Sequence, residues 1–375
     1  MLENITILDM ATLLPGPYCS MLLGDMGANV IKVEAVETGD HARSQPHIFN
    51  GVNRNKKSIT LNLKDAKGRE ILHRLIKLAD VFIEGFRPGV AKRLSVDYEK
   101  FSSINPGIIY CSISGYGQSG PYRDLPGHDL NYQAISGILS CFVDQDRKPI
   151  QPRLPIADMS SGLFAAIGIL SSLLARKNSG KGKYLDVSML DGLLSFLTVP
   201  FGRLFNNMEN MEYDPGYSLF MTKDDKFIAI GIYFENWFWK NLCATIGLGD
   251  LAGIDFLERK KQKKEIEAKL IPIFRKKTRN KWVKILSSAN VPVSPVKTLN
   301  EALQDEQILQ RGIVREIEVP GKDTIKQIMC PIKFSNTTIR KINPPPALGE
   351  NTMDILLQAG YSKDEIDDFK RKGII

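Results

Sequence analysis

The chain has 375 residues, 43% of them hydrophobic and 25% charged, ordinary globular values that exclude a disordered, collagen-like or coiled-coil chain. At roughly 150 residues per domain this length predicts two domains, or one large domain with a smaller one attached. The formal net charge of +8 would suit a nucleic-acid binder if it were spread evenly, but twelve Lys/Arg stand against two Asp/Glu between Arg259 and Lys284, and the rest of the chain is near neutral.

In chain order, Ile5 to Met10 predicts a short strand, and Pro17 to Met26 a helix with Pro17 in its first turn and Gly27 just past its end. Ala28 to Glu34 is a second strand, Ala66 to Leu78 has helical period, and Asp80 to Glu84 and Ile108 to Ser114 are further strands. Strands spaced by helices predict βαβ units, right-handed crossovers and a parallel, doubly wound, Rossmann-like sheet. Two helices follow, from about Leu130 to Ser140 and from about Ser160 to Arg176, then a strand over Tyr184 to Ser188 and a helix near Asp191 to Leu197. The polar stretch Asn206 to Gly216 reads as a crossing between domains. From Tyr217 on, a strand pair turning at Lys223 to Lys226 leads into helices that carry all three tryptophans, Trp237, Trp239 and Trp282. The basic run then reads as two amphipathic helices with solvated lysine faces. Asn343 to Pro346 is a stiff connector, and the tail from Ala347 reads as one or two closing helices. The expected division is a large Rossmann-like domain over 1–205, a smaller α+β domain over 206–330 and a segment over 331–375 that returns to the large domain.

Five cysteines at wide spacing, without a CxxC pair, predict neither a zinc site nor a redox motif, and suit a reduced, cytoplasmic setting. The N-terminus lacks the pattern of a secretory signal. No apolar run reaches the roughly 18 residues of a membrane span; the longest, Leu163 to Ala175, is interrupted by Gly168, Ser171 and Ser172 and reads as a buried helix.

Gly115 to Gly120, GYGQSG, follows a strand and matches G-x-G-x-x-G, yet Pro121 and Pro126 leave no room for the helix whose N-terminus would hold a pyrophosphate. The expectation is instead a glycine-rich loop that lets another segment or a ligand come close. Glu34 ends the second strand, where a ribose-binding acid can sit, but the first βα turn lacks the three glycines. More informative are GHDLNY (127–132) and IADMSSG (156–162). His128 lies just ahead of a helix that Asp129 is placed to cap, and Asp158 reads as the cap of the next helix. As a cap, Asp158 would be held acidic by the helix dipole and backbone N–H groups. Glu235 follows an apolar strand and precedes Trp237 and Phe238, a setting for partial desolvation or for the first-turn acid of a helix.

Read together, LLPGPYCSMLLGDMGANVIKVE (13–34), NKKSITLNLK (55–64), ADVFIEGFRPGVAKRL (79–94), NPGIIYCSISGYGQSGP (105–121), GHDLNY, SGKGKYLDVSMLDG (179–192) and ALGENTMDIL (347–356) resemble the class III CoA-transferase and α-methylacyl-CoA racemase family over nearly the whole chain. The resemblance implies an interlocked homodimer, an acyl-CoA substrate, and no metal or prosthetic group. It implies one of two chemistries. In a transferase, Asp158 is the nucleophile that forms an acyl anhydride and then a thioester with CoA. In a racemase, His128, Asp158 and Glu235 form a proton-transfer set, and the backbone N–H of Asp129 donates to the thioester oxygen. His128 in the GHD position and Glu235 after the small-domain strand favour the racemase, while ADMSSG resembles the transferase motif as well. For the CoA phosphates the resemblance points first to Arg87 and Arg93, then to Lys57 and Arg43. Nucleic acid and membrane are not expected partners, and the basic run is left as at most a weak long-range attraction for anionic acyl-CoA.

Overall fold

The computed structural model describes residues 1–144, 146–208, 213–321, 324–335 and 342–375, so part of the expected crossing at 206–216 lies outside the described residues. Its contacts divide the chain into two compact units, residues 1–200 with 313–375, and residues 201–312.

The first unit is built on six parallel strands: β1 (Thr6–Asp9), β2 (Asn29–Glu34), β3 (Lys56–Thr60), β4 (Val81–Glu84), β5 (Ile109–Ser114) and β6 (Lys183–Ser188), in the order β3-β2-β1-β4-β5-β6. This is the expected α/β, Rossmann-like sheet. Strand alternation fills two cores. Leu8, Ile31, Val33, Phe82 and Tyr110 face one side, against α2 (Ala66–Ile76) and the closing helices Thr352–Gln358 and Lys363–Arg371. Ile7, Val30, Val81, Ile83 and Cys111 face the other, against α1 (Pro15–Asp25) and, further on, the long helix Ile156–Ser179. Apolar residues at both parities of a strand are what a sheet covered on both faces requires.

β3 was not expected as a strand, because Lys56, Lys57, Ser58 and Thr60 give it a polar reading. Burial of Lys56, Ser58 and Thr60 by specific partners reverses that reading. The helix expected over 130–140 ends early: α3 spans Asp129–Ser136, Gly137 takes a left-handed conformation, and a 3-10 turn follows. The helix expected over 160–176 is longer at both ends, α4 spanning Ile156–Ser179, and α5 (Met189–Phe196) follows β6. At 24 residues α4 is long and apolar enough to cross a bilayer, which corrects the expectation that no such stretch exists. Half of that stretch is buried, Ala165, Ile169 and Leu173 against the sheet, while Leu163, Ile167 and Leu174 are exposed.

The second unit is a three-stranded antiparallel sheet, β7 (Tyr217–Met221), β8 (Phe227–Gly231) and β9 (Val293–Pro295), with α6 (Asn236–Ile246), α7 (Lys263–Phe274) and α8 (Arg279–Ser288). The expected hairpin is β7–β8. Trp239 and Trp282 are buried and donate their indole N–H to the carbonyls of Leu251 and Phe274, at 2.8 Å each, whereas Trp237 is exposed. The basic run forms three helices rather than two, the first being the short Phe256–Lys261. Two of its cations are structural: Arg259 is buried against Asp214 at 2.8 Å, and Arg279 pairs with Glu301 at 2.7 Å.

Candidate active site

The site is organised where α3 and α4 begin. His128, not Asp129, occupies the cap position of α3, and its backbone N–H donates to Asn131 Oδ1 at 3.0 Å. Asp129 is the first residue of the helix, so the expected capping role at α3 is corrected. Its carboxylate caps the neighbouring helix instead. α4 follows Pro155, which offers no side-chain acceptor, and Asp129 Oδ1 accepts from the amides of Ala157 at 2.7 Å and Asp158 at 3.2 Å. Those amides are among the donors that a helix start leaves without an internal partner. Gln133, buried on the same helix as Asp129, donates to the second carboxylate oxygen and to the Leu154 carbonyl. Asp129, the residue next to His128, is thus tied to the backbone of Asp158.

Asp158 itself is a first-turn residue of α4 and not its cap, a second correction. Because Asp129 takes the amides, the Asp158 carboxylate receives none of them. It is half-buried, and burial, followed by the nearby Asp129 charge, pushes it up to about 7. A capping carboxylate would move the other way. Gly162, one turn further on, lets α4 close on α1: a Cβ there would stand 2.6 Å from the Pro15 carbonyl.

Tyr132 is buried beside this pair. Burial, then Tyr116 and Asp158, raise its phenol to about 12, while Arg87 pulls it down. Arg87, exposed in the loop after β4, therefore lies within electrostatic reach of the Asp158 side of the site. His128 is exposed. Glu235 lies in the second unit, where it is the cap residue of α6, half-buried between exposed neighbours, with the Tyr233 N–H donating to it at 3.0 Å.

A crevice of about 550 Å³ opens at the C-terminal ends of β1 to β4, lined by Ala11, Lys32, Glu34, Asp40, Leu61 and Phe86 among others. In the order 3-2-1-4-5-6 the chain turns in opposite directions from β1 and β4, and the crevice outside such a switch point is where open α/β sheets take ligands. Glu34, at its edge, is fully engaged: Arg43 grips it through Nε at 2.8 Å and Nη2 at 2.7 Å, and Ser58 Oγ donates at 2.6 Å. Arg43 is thus held as a structural partner of Glu34, which also leaves that acid unfree for a ribose. Lys57 is exposed on β3, and Arg93 is exposed at the end of the short helix Val90–Arg93. Arg93 Nη1 and Arg123 Nη2 each lie within 4 Å of where a Gly89 Cβ would stand, at 3.6 and 3.9 Å.

Two residues escaped the sequence reading. Arg123 sits five residues ahead of His128, just past the glycine-rich loop, in a stretch where the sequence reading singled out no charge. Glu84 ends β4 as a buried acid, accepting from the Phe86 N–H at 2.6 Å, and burial pushes it up to about 7. The only signal for it was an acid closing the apolar run VFIE.

Residues 2–352 match CoA-transferase family III. The chain is 33% identical to the succinyl-CoA:glutarate CoA-transferase of Mus musculus, covering all of this chain and 90% of that one. It is 32% identical to the alpha-methylacyl-CoA racemase of Homo sapiens, over 97% of this chain and 95% of that one. Among solved structures, a CAIB/BAIF family protein from Brucella suis superposes with a TM-score of 0.83 at 29% identity, over 96% of this chain and 99% of the other.

Proposed function

The chain belongs to CoA-transferase family III, a family of acyl-CoA enzymes that embraces both transferases and racemases, and from that premise we propose that it is a racemase inverting the α-carbon of 2-methylacyl-CoA thioesters. The observation that carries this reading is Asp158, a carboxyl poised near pH 7 with no ion pair among the described residues, its backbone amide held by the carboxylate of Asp129, the residue next to His128. A group with a pKa near working pH can both take and give a proton. His128 is assigned as the second proton carrier of the pair.

In the proposed 1,1-proton shift, one of the pair takes the Cα proton from one face of the thioester. The C–H electron pair moves into the carbonyl to form an enolate, and the other group returns a proton to Cα from the opposite face. The Asp129 N–H, first amide of α3, donates to the enolate oxygen. Glu235 is assigned by the family resemblance alone to orienting the imidazole or stabilising its charge. The CoA phosphates are assigned to Arg87 and Arg93, with Lys57 as a further cation and the crevice at β1–β4 for the nucleotide end; no separate cofactor takes part. The exposed apolar residues of α4, together with Phe196 of α5, are assigned to a homodimer contact.

The test incubates single epimers of several 2-methylacyl-CoA thioesters in deuterated water. Deuterium at Cα with loss of optical purity is the expected result, and no incorporation across the set rejects the racemase. A second reading is favoured by the transferase relatives. In it the Asp158 carboxylate attacks the thioester carbonyl and expels CoA thiolate to leave an acyl anhydride. Exchange of labelled CoA between two carboxylic acids, surviving in His128→Ala but lost in Asp158→Asn, would establish it.

A further inference from the structure

We propose that Tyr132 is a positioning residue for His128, and that Gly115 and Gly127 are glycines because they form the socket for its phenol. Tyr132 lies four residues after His128, and a helical side chain leans back toward the N-terminus, over the turn it follows. Its hydroxyl donates to the Gly127 carbonyl at 2.7 Å, so it holds the peptide that leads into His128. Asn131 holds the far side of the same peptide group through the His128 N–H. The ring is only 5% exposed, and Tyr116 packs edge-on against it at 5.0 Å.

The socket leaves no room for alternatives. A Cβ at Gly127 would stand 2.8 Å from Tyr132 Cε1, and a Cβ at Gly115 would stand 2.3 Å from its hydroxyl oxygen. Gly115 opens the GYGQSG loop, whose glycine spacing serves no dinucleotide here. Close approach of a second chain segment accounts for this glycine. The phenol touches neither substrate nor proton in this scheme; it fixes where the imidazole stands.

The kinetic part of this inference rests on the racemase reading, so the experiment carries a readout independent of it. Full-length Tyr132→Phe removes the hydroxyl and keeps the ring, and Gly115→Ala keeps the hydroxyl and fills the socket. In both, amide hydrogen exchange over 128–131, followed by mass spectrometry, is expected to quicken about tenfold, the size of one lost hydrogen bond. Inversion of a single 2-methylacyl-CoA epimer is expected to slow about tenfold in kcat with KM nearly unchanged, while deuterium uptake with retention, which needs only one of the two proton carriers, falls less. Wild-type protection of 128–131 together with wild-type inversion in both variants overturns the proposal. A wild-type protein that takes up no deuterium at all rejects the racemase instead, and the amide protection of the two variants then decides the role of Tyr132 alone.

Discussion

Asp9, at the end of β1, and Asp158, in the first turn of α4, are both removed from bulk water, and they end in opposite states. Burial would raise the Asp9 carboxyl, but Lys56 at 3.0 Å, the nearby Lys32 and the Ser20 hydroxyl at 2.5 Å outweigh it, and Asp9 stays below the usual range. Lys56 also donates to the Pro17 and Asn53 oxygens, and Lys32 pairs with Asp40 at 2.8 Å, so this end of the sheet is a closed ionic lattice. Asp158 has burial and a second carboxylate, Asp129, and is driven up to about 7. The contrast teaches that partners, not residue type, separate an acid held ionised from one held near neutral pH.

The largest expected effect tests the Asp158 side of that contrast. Asp158→Asn should lower kcat/KM by at least about 10³-fold in either family chemistry, with an unchanged far-ultraviolet circular dichroism spectrum. Asp9→Asn should instead act on stability. It leaves Lys56 buried without its counter-charge, a defect of about 3 kcal/mol or more by denaturant titration. If Asp9→Asn proved harmless to folding, the distinction between the two acids would fail.

Asp129→Asn sharpens the comparison, because it removes the charge that helps raise Asp158. The acidic limb of the pH profile for kcat/KM should move to lower pH. Loss of the negative charge at the start of α4 should cost about 0.5 kcal/mol of stability, since the amide oxygen still caps.

The remaining effect is in the pH dependence of folding. Asp158 and Glu84 both have folded pKa values raised to about 7. Between about pH 4 and 7 the folded chain binds more protons at these two sites than the unfolded chain, so they favour folding less as pH rises through that window. Asp9 and Glu34, held low, act in the opposite sense: their contribution is present above the ordinary carboxylate pKa and is lost as pH falls through their folded values. Thermal denaturation of Asp158→Asn and Glu84→Gln at pH 5 and pH 8 should show each gaining relative to wild type on going to pH 8. Equal shifts at the two pH values would mean that burial has not raised these acids.

Much of the architecture was legible beforehand. Apolar runs separated by helical period placed five of the six parallel strands, and the motifs placed His128, Asp129 and Asp158 near one another in a family context. β3 was missed because its lysine and hydroxyl residues look solvated until their buried partners are known. Local pattern also misjudged the two helix starts. An Asp ahead of an apolar helix is a good cap in isolation, but no reading of one segment can show that a carboxylate from another segment already holds the amides. Glu84 and Arg123 were passed over for the same reason: an acid ending a strand and an arginine in a loop gain meaning only from what surrounds them.

The sequence by itself determined the periodicities, hence a two-sided parallel sheet and a separate smaller unit, and it carried the motifs that set the family. The tertiary structure decided the charge state of the acids, because desolvation and Coulomb interaction depend on distances that chain order does not encode. Burial, together with Asp129 crossing from α3 to take the amides at the start of α4, leaves Asp158 as a non-capping carboxyl raised to about 7.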